Sequence, residues 1–146
     1  MLQCTKIHYE MLRFNYSQTY GFENLELILI DDLSTDNTWS ILESLQRKYP
    51  ENVISLKMQK KGKCGGARNL GMDICTGKYI TFVDADDYVH PDMLRVLYDR
   101  MTEDDYDVAQ CGVSCFKADK PNVLEVNDFE IQRLIWIMLI IGKISL

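Results

Sequence analysis

The chain is expected to fold as an α/β protein with a mostly parallel sheet, and three observations point there. Short apolar runs alternate with helical stripes through the middle of the chain. The run Leu25 to Ile30 is nearly all apolar, as expected of a strand covered on both faces. That run and the aromatic and β-branched run Tyr79 to Val83 both end in clustered acids, where such strands would leave their sheet. With 146 residues, 47% apolar and 26% charged, the chain suits one soluble domain with a sizeable core.

The elements follow in order. Residues 1–17 form an atypical N-terminal segment with only a weak helical pattern around Tyr9 to Tyr16. The strand Leu25 to Ile30 stops at Asp31-Asp32. Ser34, Thr35, Asp36 and Asn37 then offer caps for a helix whose stripe is Trp39, Leu42, Leu45 and Tyr49, and Pro50 ends it. Val53 to Met58 alternates as a strand, and a loop rich in glycine and lysine runs from Lys60 to Gly66. Ala67, Leu70, Gly71 and Ile74 mark one face of a helix that closes at Gly77. After the acidic strand, His90-Pro91-Asp92 opens a helix with Pro91 at its first position and Leu94, Leu97, Tyr98 and Met101 on its buried face. A strand is expected from about Val108 to Val113. Residues 117–146 read as a polar linker followed by one apolar C-terminal helix.

Several function classes are set aside by composition. A formal charge of −6 and the lack of a dense Lys/Arg stripe argue against a nucleic-acid partner. Lys57, Lys60, Lys61, Lys63 and Arg68 form one basic cluster, read either as a solvated face or as a phosphate-facing one. Five cysteines without a Cys-x-x-Cys pair are expected to be reduced thiols of a cytosolic protein. No signal peptide is visible at the N-terminus. The eight-residue run Leu134 to Ile141 is far short of the ~20 apolar residues a membrane-spanning helix needs.

The chemistry gathers at the strand ends. Asp31 and Asp32 close one strand; Asp84, Asp86 and Asp87 close another. Crowded carboxylates repel one another unless something positive or hydrogen-bonding sits among them. Magnesium bound through one or two carboxylates plus substrate phosphates meets that need. Gly62, Gly65 and Gly66 would let backbone approach a ligand, the following helix offers its N-terminal amides to an anion, and Arg68 lies in that helix's first turns. Ligands of open α/β sheets bind outside the carboxyl ends of the strands, so these groups suit a nucleoside diphosphate held through a metal.

At these residues the chain resembles the family 2 glycosyltransferases, which have a GT-A fold. The matching pieces are Gln18-Thr-Tyr20, Leu25-Glu-Leu-Ile-Leu-Ile-Asp-Asp-Leu-Ser-Thr-Asp-Asn37, Gly62-Lys-Cys-Gly-Gly-Ala-Arg-Asn-Leu-Gly71, Gly77-Lys-Tyr-Ile-Thr-Phe-Val-Asp-Ala-Asp-Asp87 and Pro91-Asp-Met-Leu94. Each piece is weak alone; their order and spacing over about residues 18–116 are specific. The resemblance implies a three-layer α/β/α, Rossmann-like GT-A sheet. It implies a nucleotide-sugar donor, expected to be a UDP-sugar, with Asp31 and Asp32 at the donor site and Asp32 accepting a hydrogen bond from the nucleobase. Asp84 and Asp86 would be the Asp-x-Asp motif, with Asp86 binding Mg²⁺ or Mn²⁺ on the diphosphate and Asp84 near the ribose or sugar and the metal. Arg68 and Asn69 belong to the Ala-Arg-Asn signature, where Arg68 orders acids or phosphates; for Asn69 a helix–strand hydrogen bond is the alternative. The partner would be a glycan or lipid-linked acceptor, reached in the cytoplasm or at the inner face of the membrane, where peripheral attachment stays open. The reaction would be inverting, and the catalytic base is not identifiable.

The chain departs from the family in three places. The family opens with a β-strand and a Pro-x-Tyr-Asn-like loop, which residues 1–17 do not show. Leu33 stands where the family usually has glycine, and leucine fits a type I turn but not a positive φ. The acceptor-side region and general base lie downstream of residue 115 in the family, and here that stretch offers Asp128 and Glu130 in no recognisable motif. A missing first strand would expose a sheet edge, which leaves a homo-oligomer open, or the apolar tail would cover it. Two other readings remain: an inactive nucleotide-binding remnant of the same fold, and a receiver-like domain phosphorylated on Asp84. Receivers begin at the strand that closes in the acid pair, whereas here 26 residues precede Leu27.

Overall fold

The structure, a computed structural model, describes residues 18–84, 87, 89–104, 106–112, 116–117, 120–124 and 135–141; for Lys63 and from residue 116 onward only the backbone is described. In chain order the elements are β1 (Leu25–Asp31), α1 (Thr38–Lys48), β2 (Val53–Lys57), α2 (Lys63–Ile74), β3 (Tyr79–Asp84), α3 (Met93–Glu103), β4 (Phe116–Lys117), β5 (Lys120–Leu124) and β6 (Ile135–Ile141). A four-stranded sheet has the order β2-β1-β6-β3. β1 and β2 pair in parallel, and β6 pairs antiparallel with both β1 and β3. Three of the four strands therefore run the same way, and β6 runs against them. β4 and β5 form a separate antiparallel hairpin.

The side chains of β1 sort the helices into two layers. Leu25, Leu27 and Leu29 pack with Leu42 of α1 and Leu94 of α3 on one face. Ile28 and Ile30 pack with Ala67 of α2 on the other, joined by Leu70 and Ile74. The result is the three-layer α/β/α sandwich expected from the sequence. Each of the five wholly buried β1 side chains contributes about 1.5–3 kcal/mol of burial.

The Gln18-Thr-Tyr20 piece braces α3. Gln18 is buried, donates through Nε2 to the His90 carbonyl (3.0 Å) and accepts the Leu94 amide on Oε1 (3.3 Å). It thereby satisfies one of the amides that a helix N-terminus leaves without an intrahelical partner. The Thr19 hydroxyl donates to Asp92 Oδ1 (2.7 Å), and Arg95 pairs with the same oxygen (3.0 Å). These contacts, the hydroxyl first, hold the Asp92 carboxyl below its ordinary pKa. Behind them Tyr20 stacks on Tyr98 at 4.8 Å between ring centres, and burial, followed by the neighbouring Tyr98, pushes the Tyr20 phenol up to about 12.

Four expectations need correction. The apolar tail is not a helix where it is described: residues 135–141 are β6, hydrogen-bonded on both sides inside the sheet. A short apolar run does not reveal its own period, and Ile135, Ile137, Ile140 and Ile141 are β-branched residues that favour the extended form between two strands. β1 consequently has strands on both sides, and among the described strands β2 and β3 are outermost. No strand forms over residues 108–112, where Val108 is 80% exposed and gains no burial from extension; the hairpin comes later, at 116–124. α2 begins at Lys63, so Gly65 and Gly66 lie in its first turn and not in a loop. Packing of Ala67 and Leu70 against β1 and β2 outweighs the low helix propensity of glycine. α3 begins at Met93 with Asp92 as its N-cap, which leaves Pro91 in the preceding turn.

Other details agree with the sequence or refine it. α1 stops at Lys48, ahead of Pro50. Asn37 is its N-cap residue, and Asp36, one position earlier, accepts the Thr38 amide on Oδ1 at 3.0 Å. Cys64, Cys75 and Cys111 are free thiols, while Cys4 and Cys115 lie outside the described residues, as does the weak helix around Tyr9 to Tyr16.

Candidate functional site

β1 and β3 run in the same direction, so their acids emerge at one end of the sheet. The β6 register aligns them closely: Asp31 stands opposite Ile135 and Asp84 opposite Trp136, the next residue. Two inter-strand steps separate them, roughly 10 Å at the usual strand spacing.

At the β1 end both acids are buried. Asp31 Oδ1 accepts the Ser34 amide at 2.8 Å, which folds the chain into a tight turn after the strand. Asp31 Oδ2 makes no hydrogen bond and lies 3.9 Å from the Lys57 ammonium, which itself sits 5.6 Å from the centre of the Trp39 ring. Asp32 is 1% exposed, and its Oδ1 accepts the Gly62 amide at 2.7 Å. Leu33, between this pair and the turn, has φ 61°. That is the left-handed conformation for which the family's usual glycine is suited, and a leucine there is strained.

The loop from β2 to α2 is tied to this end. The Met58 amide donates to the Asp31 carbonyl at 2.9 Å. Gly62 is the N-cap of α2, and a Cβ there would stand 2.5 Å from Met58 Cε and 3.2 Å from the Gly66 Cα. The second contact is with backbone and tighter than usual, so any larger residue here would need a shift of a few tenths of an ångström. Gly65 has open space around it and Gly66 only an ordinary contact, so neither needs to be glycine on steric grounds.

At the β3 end the acid is more open. Arg68, in the second turn of α2, donates through Nη2 to Asp84 Oδ1 at 3.0 Å, and both side chains are about one-third exposed (38% and 35%). The guanidinium carbon also lies 5.3 Å from the centre of the Phe82 ring. Arg68 thus pairs with the acid that closes β3. The Asp87 amide donates to the Asp84 carbonyl (3.0 Å), closing a turn directly after the strand. Asn69 is exposed on α2. Asp86 lies outside the described residues.

Among the described residues, no three His, Cys, Asp or Glu side chains group as a closed metal cage. The donors present nonetheless fit a magnesium or manganese ion that keeps phosphate and water ligands. Asp84 is a hard oxygen donor, partly open at a strand end, with one oxygen fixed by Arg68.

Some contacts at these strand ends go beyond what the residue pattern indicates. The Gly62 amide is invisible to side-chain reasoning. Lys57 and Trp39 flank Asp31. Glu26 is a buried acid within β1 whose Oε2 accepts both the amide (2.9 Å) and the hydroxyl (3.1 Å) of Thr76, fastening the α2–β3 turn to the sheet. A charge inside an otherwise apolar strand was its available signal.

Residues 10–138 match the family described as Glycosyl transferase family 2, so the chain belongs to that family. It is similar to an uncharacterized glycosyltransferase, YibD, of Escherichia coli K12: 45% identical over 100 residues, covering 68% of this chain and 28% of the relative. Glycosyltransferase GlyG of Streptococcus pneumoniae is 41% identical over 91 residues, covering 62% and 29%. The Escherichia coli UDP-Glc:α-D-GlcNAc-diphosphoundecaprenol β-1,3-glucosyltransferase WfaP is 38% identical over 85 residues, covering 58% and 32%. The chain therefore spans about a third or less of the length of these relatives. No solved structure gives a significant match. The family assignment leaves the receiver-like alternative without support. No helix among the described residues is long and apolar enough to cross a membrane.

Proposed function

We propose that this chain is the donor-binding part of a glycosyltransferase that moves a sugar from a nucleoside diphosphate, of the UDP type, to an acceptor hydroxyl. One observation carries the reading: two acid-tipped strands, one strand apart, end at the same edge of the sheet, and α2 is fastened to both, at Asp32 through Gly62 and at Asp84 through Arg68. That spacing suits a ligand with a hydrogen-bonding base at one end and a diphosphate at the other.

In this reading Asp32 accepts a hydrogen bond from the base, Asp31 shapes the turn behind it, and Arg68 holds Asp84 in place. Asp84 and Asp86 would hold Mg²⁺ or Mn²⁺. When bound, the cation neutralises charge on the diphosphate and orients it. The acceptor oxygen forms a bond to the anomeric carbon while the bond from that carbon to the diphosphate oxygen breaks. The hydroxyl proton goes to a carboxylate base, and the nucleoside diphosphate leaves. Attack opposite the leaving group inverts the anomeric centre. The UDP donor and a lipid-linked acceptor are suggested by the name of WfaP.

Equilibrium dialysis of the chain with UDP and Mn²⁺ tests the assignment. Wild type should retain UDP, and Asp84→Ala and Asp86→Ala should each weaken retention at least about tenfold, the equivalent of 1.4 kcal/mol. Undiminished retention by both variants would remove the acids from the donor site.

A further inference from the structure

We propose that the Asp32–Gly62 hydrogen bond is a latch that holds the β2–α2 loop shut over the base-binding acid and opens only when a base with an imide N–H takes its place. The proposal rests on the donor-binding reading above and adds how that site admits its ligand.

The geometry poses a conflict. Asp32 is the carboxylate expected to meet the base, yet it is 1% exposed and already accepts the Gly62 amide at 2.7 Å. A base cannot reach a covered carboxylate while the cover stays. Something at this strand end has to move, and the loop is the part built to do so. Met58 is fixed through its amide to the Asp31 carbonyl, and α2 starts at Lys63. Between these two points lie Gln59, Lys60 and Lys61, all exposed, and then Gly62. Beyond them α2 is held by Ala67, Leu70 and Ile74 against the sheet, so release of Gly62 frees the loop without undocking the helix.

The chemistry of exchange is balanced. A backbone amide and a uracil-type imide each present one N–H to a carboxylate oxygen, so Asp32 exchanges one donor for another and is never left buried without one. The Gly62 amide passes to solvent, which costs little because it belongs to the unpaired first turn of a helix. A cytosine-type base presents an acceptor at the corresponding ring nitrogen, and its nearest donor, the exocyclic amine, lies one ring position away, so it cannot replace the Gly62 amide in the same place. A diphosphate without a base has nothing to offer Asp32. Opening therefore depends on the base, although the moving loop carries Lys60 and Lys61, the groups suited to phosphate.

Amide resonances of the isotopically labelled chain give a direct readout, with Mg²⁺ as the cation. Saturating UDP should shift the Gly62 amide and speed its hydrogen exchange by about tenfold or more, the mark of a local opening. CDP and inorganic pyrophosphate should leave that amide as it is in the free chain. In Asp32→Asn, where a neutral acceptor replaces the carboxylate, Gly62 should already exchange faster and UDP should add nothing. UDP that binds while Gly62 keeps its shift and protection would overturn the latch and leave donor binding standing. Pyrophosphate that moves Gly62 as much as UDP does would also overturn it. UDP that does not bind at all would remove the latch and the donor reading together.

Discussion

β1 and β3 run in parallel, end in acids and flank the same strand, yet the molecule treats them differently. All seven residues of β1 are buried, and its acids are held by backbone amides. Apart from the buried Val83, β3 alternates between half-buried and exposed, with Ile80 43% exposed, and its acid is held by an arginine near the surface. The contrast separates two jobs. Burial ties the β1 acids to the core, so their loss is felt by the whole fold, whereas the β3 acid lies near the surface and its loss is felt locally.

Truncation should expose the contrast most strongly. Leu27→Ala in β1 is expected to cost about 2–5 kcal/mol in urea unfolding, as a cavity at a wholly buried position does. Ile80→Ala in β3 should cost less than about 1 kcal/mol, as at a largely exposed site. Equal losses would abolish the distinction.

The acids sharpen it. Asp32→Ala should lose about 1–3 kcal/mol of stability, because it removes the charged acceptor of the Gly62 amide at a buried position. Asp84→Ala should stay within about 1 kcal/mol of wild type, as for exposed ion pairs, while losing cation-dependent nucleotide binding. Unfolding curves beside binding curves for the two variants separate the roles.

A smaller effect of opposite sign is expected at the turn beyond β1. Leu33→Gly should raise stability by about 1 kcal/mol, since glycine adopts φ 61° without the strain a leucine bears. A loss of stability would show that the Leu33 side chain contributes more than its backbone costs.

The smallest effect is one of pH, at the foot of β3. The Tyr20 phenol is raised in the folded chain to about 12 from 10.0, with burial as the main cause. The unfolded chain therefore ionises first, and the stability this tyrosine contributes is present below pH 10 and drains away as pH rises toward 12. Tyr20→Phe should flatten the decline of thermal stability over that window. An unchanged decline would place the alkaline sensitivity elsewhere.

Much of this was legible from the residues. Apolar strands with acidic tips, the alternation with helices and the position of Arg68 all follow from local pattern, because each signal sits within one element. What escaped depended on partners far along the chain. Residues 135–141 have the composition of a buried helix or a buried strand, and only the gap between β1 and β3 decides for the strand. The glycines at 65 and 66 suggested a loop, but packing of Ala67 carries the helix back through them. Val108 to Gly112 looked like a strand and finds nothing to cover it. At the site, the departure at Leu33 was visible as a mismatch with the family, and its positive φ emerged only with the folded turn. The Gly62 amide that occupies Asp32 had no side-chain signal to read.

The proposed function requires that the acids at the two strand ends form a cation-assisted site for a nucleoside diphosphate. Calorimetric titration of UDP into the chain, first with Mn²⁺ and then with EDTA in its place, tests it most directly. Saturable binding that weakens by about tenfold or more without the cation is the predicted result. Binding of equal strength in both conditions, or none in either, would contradict it.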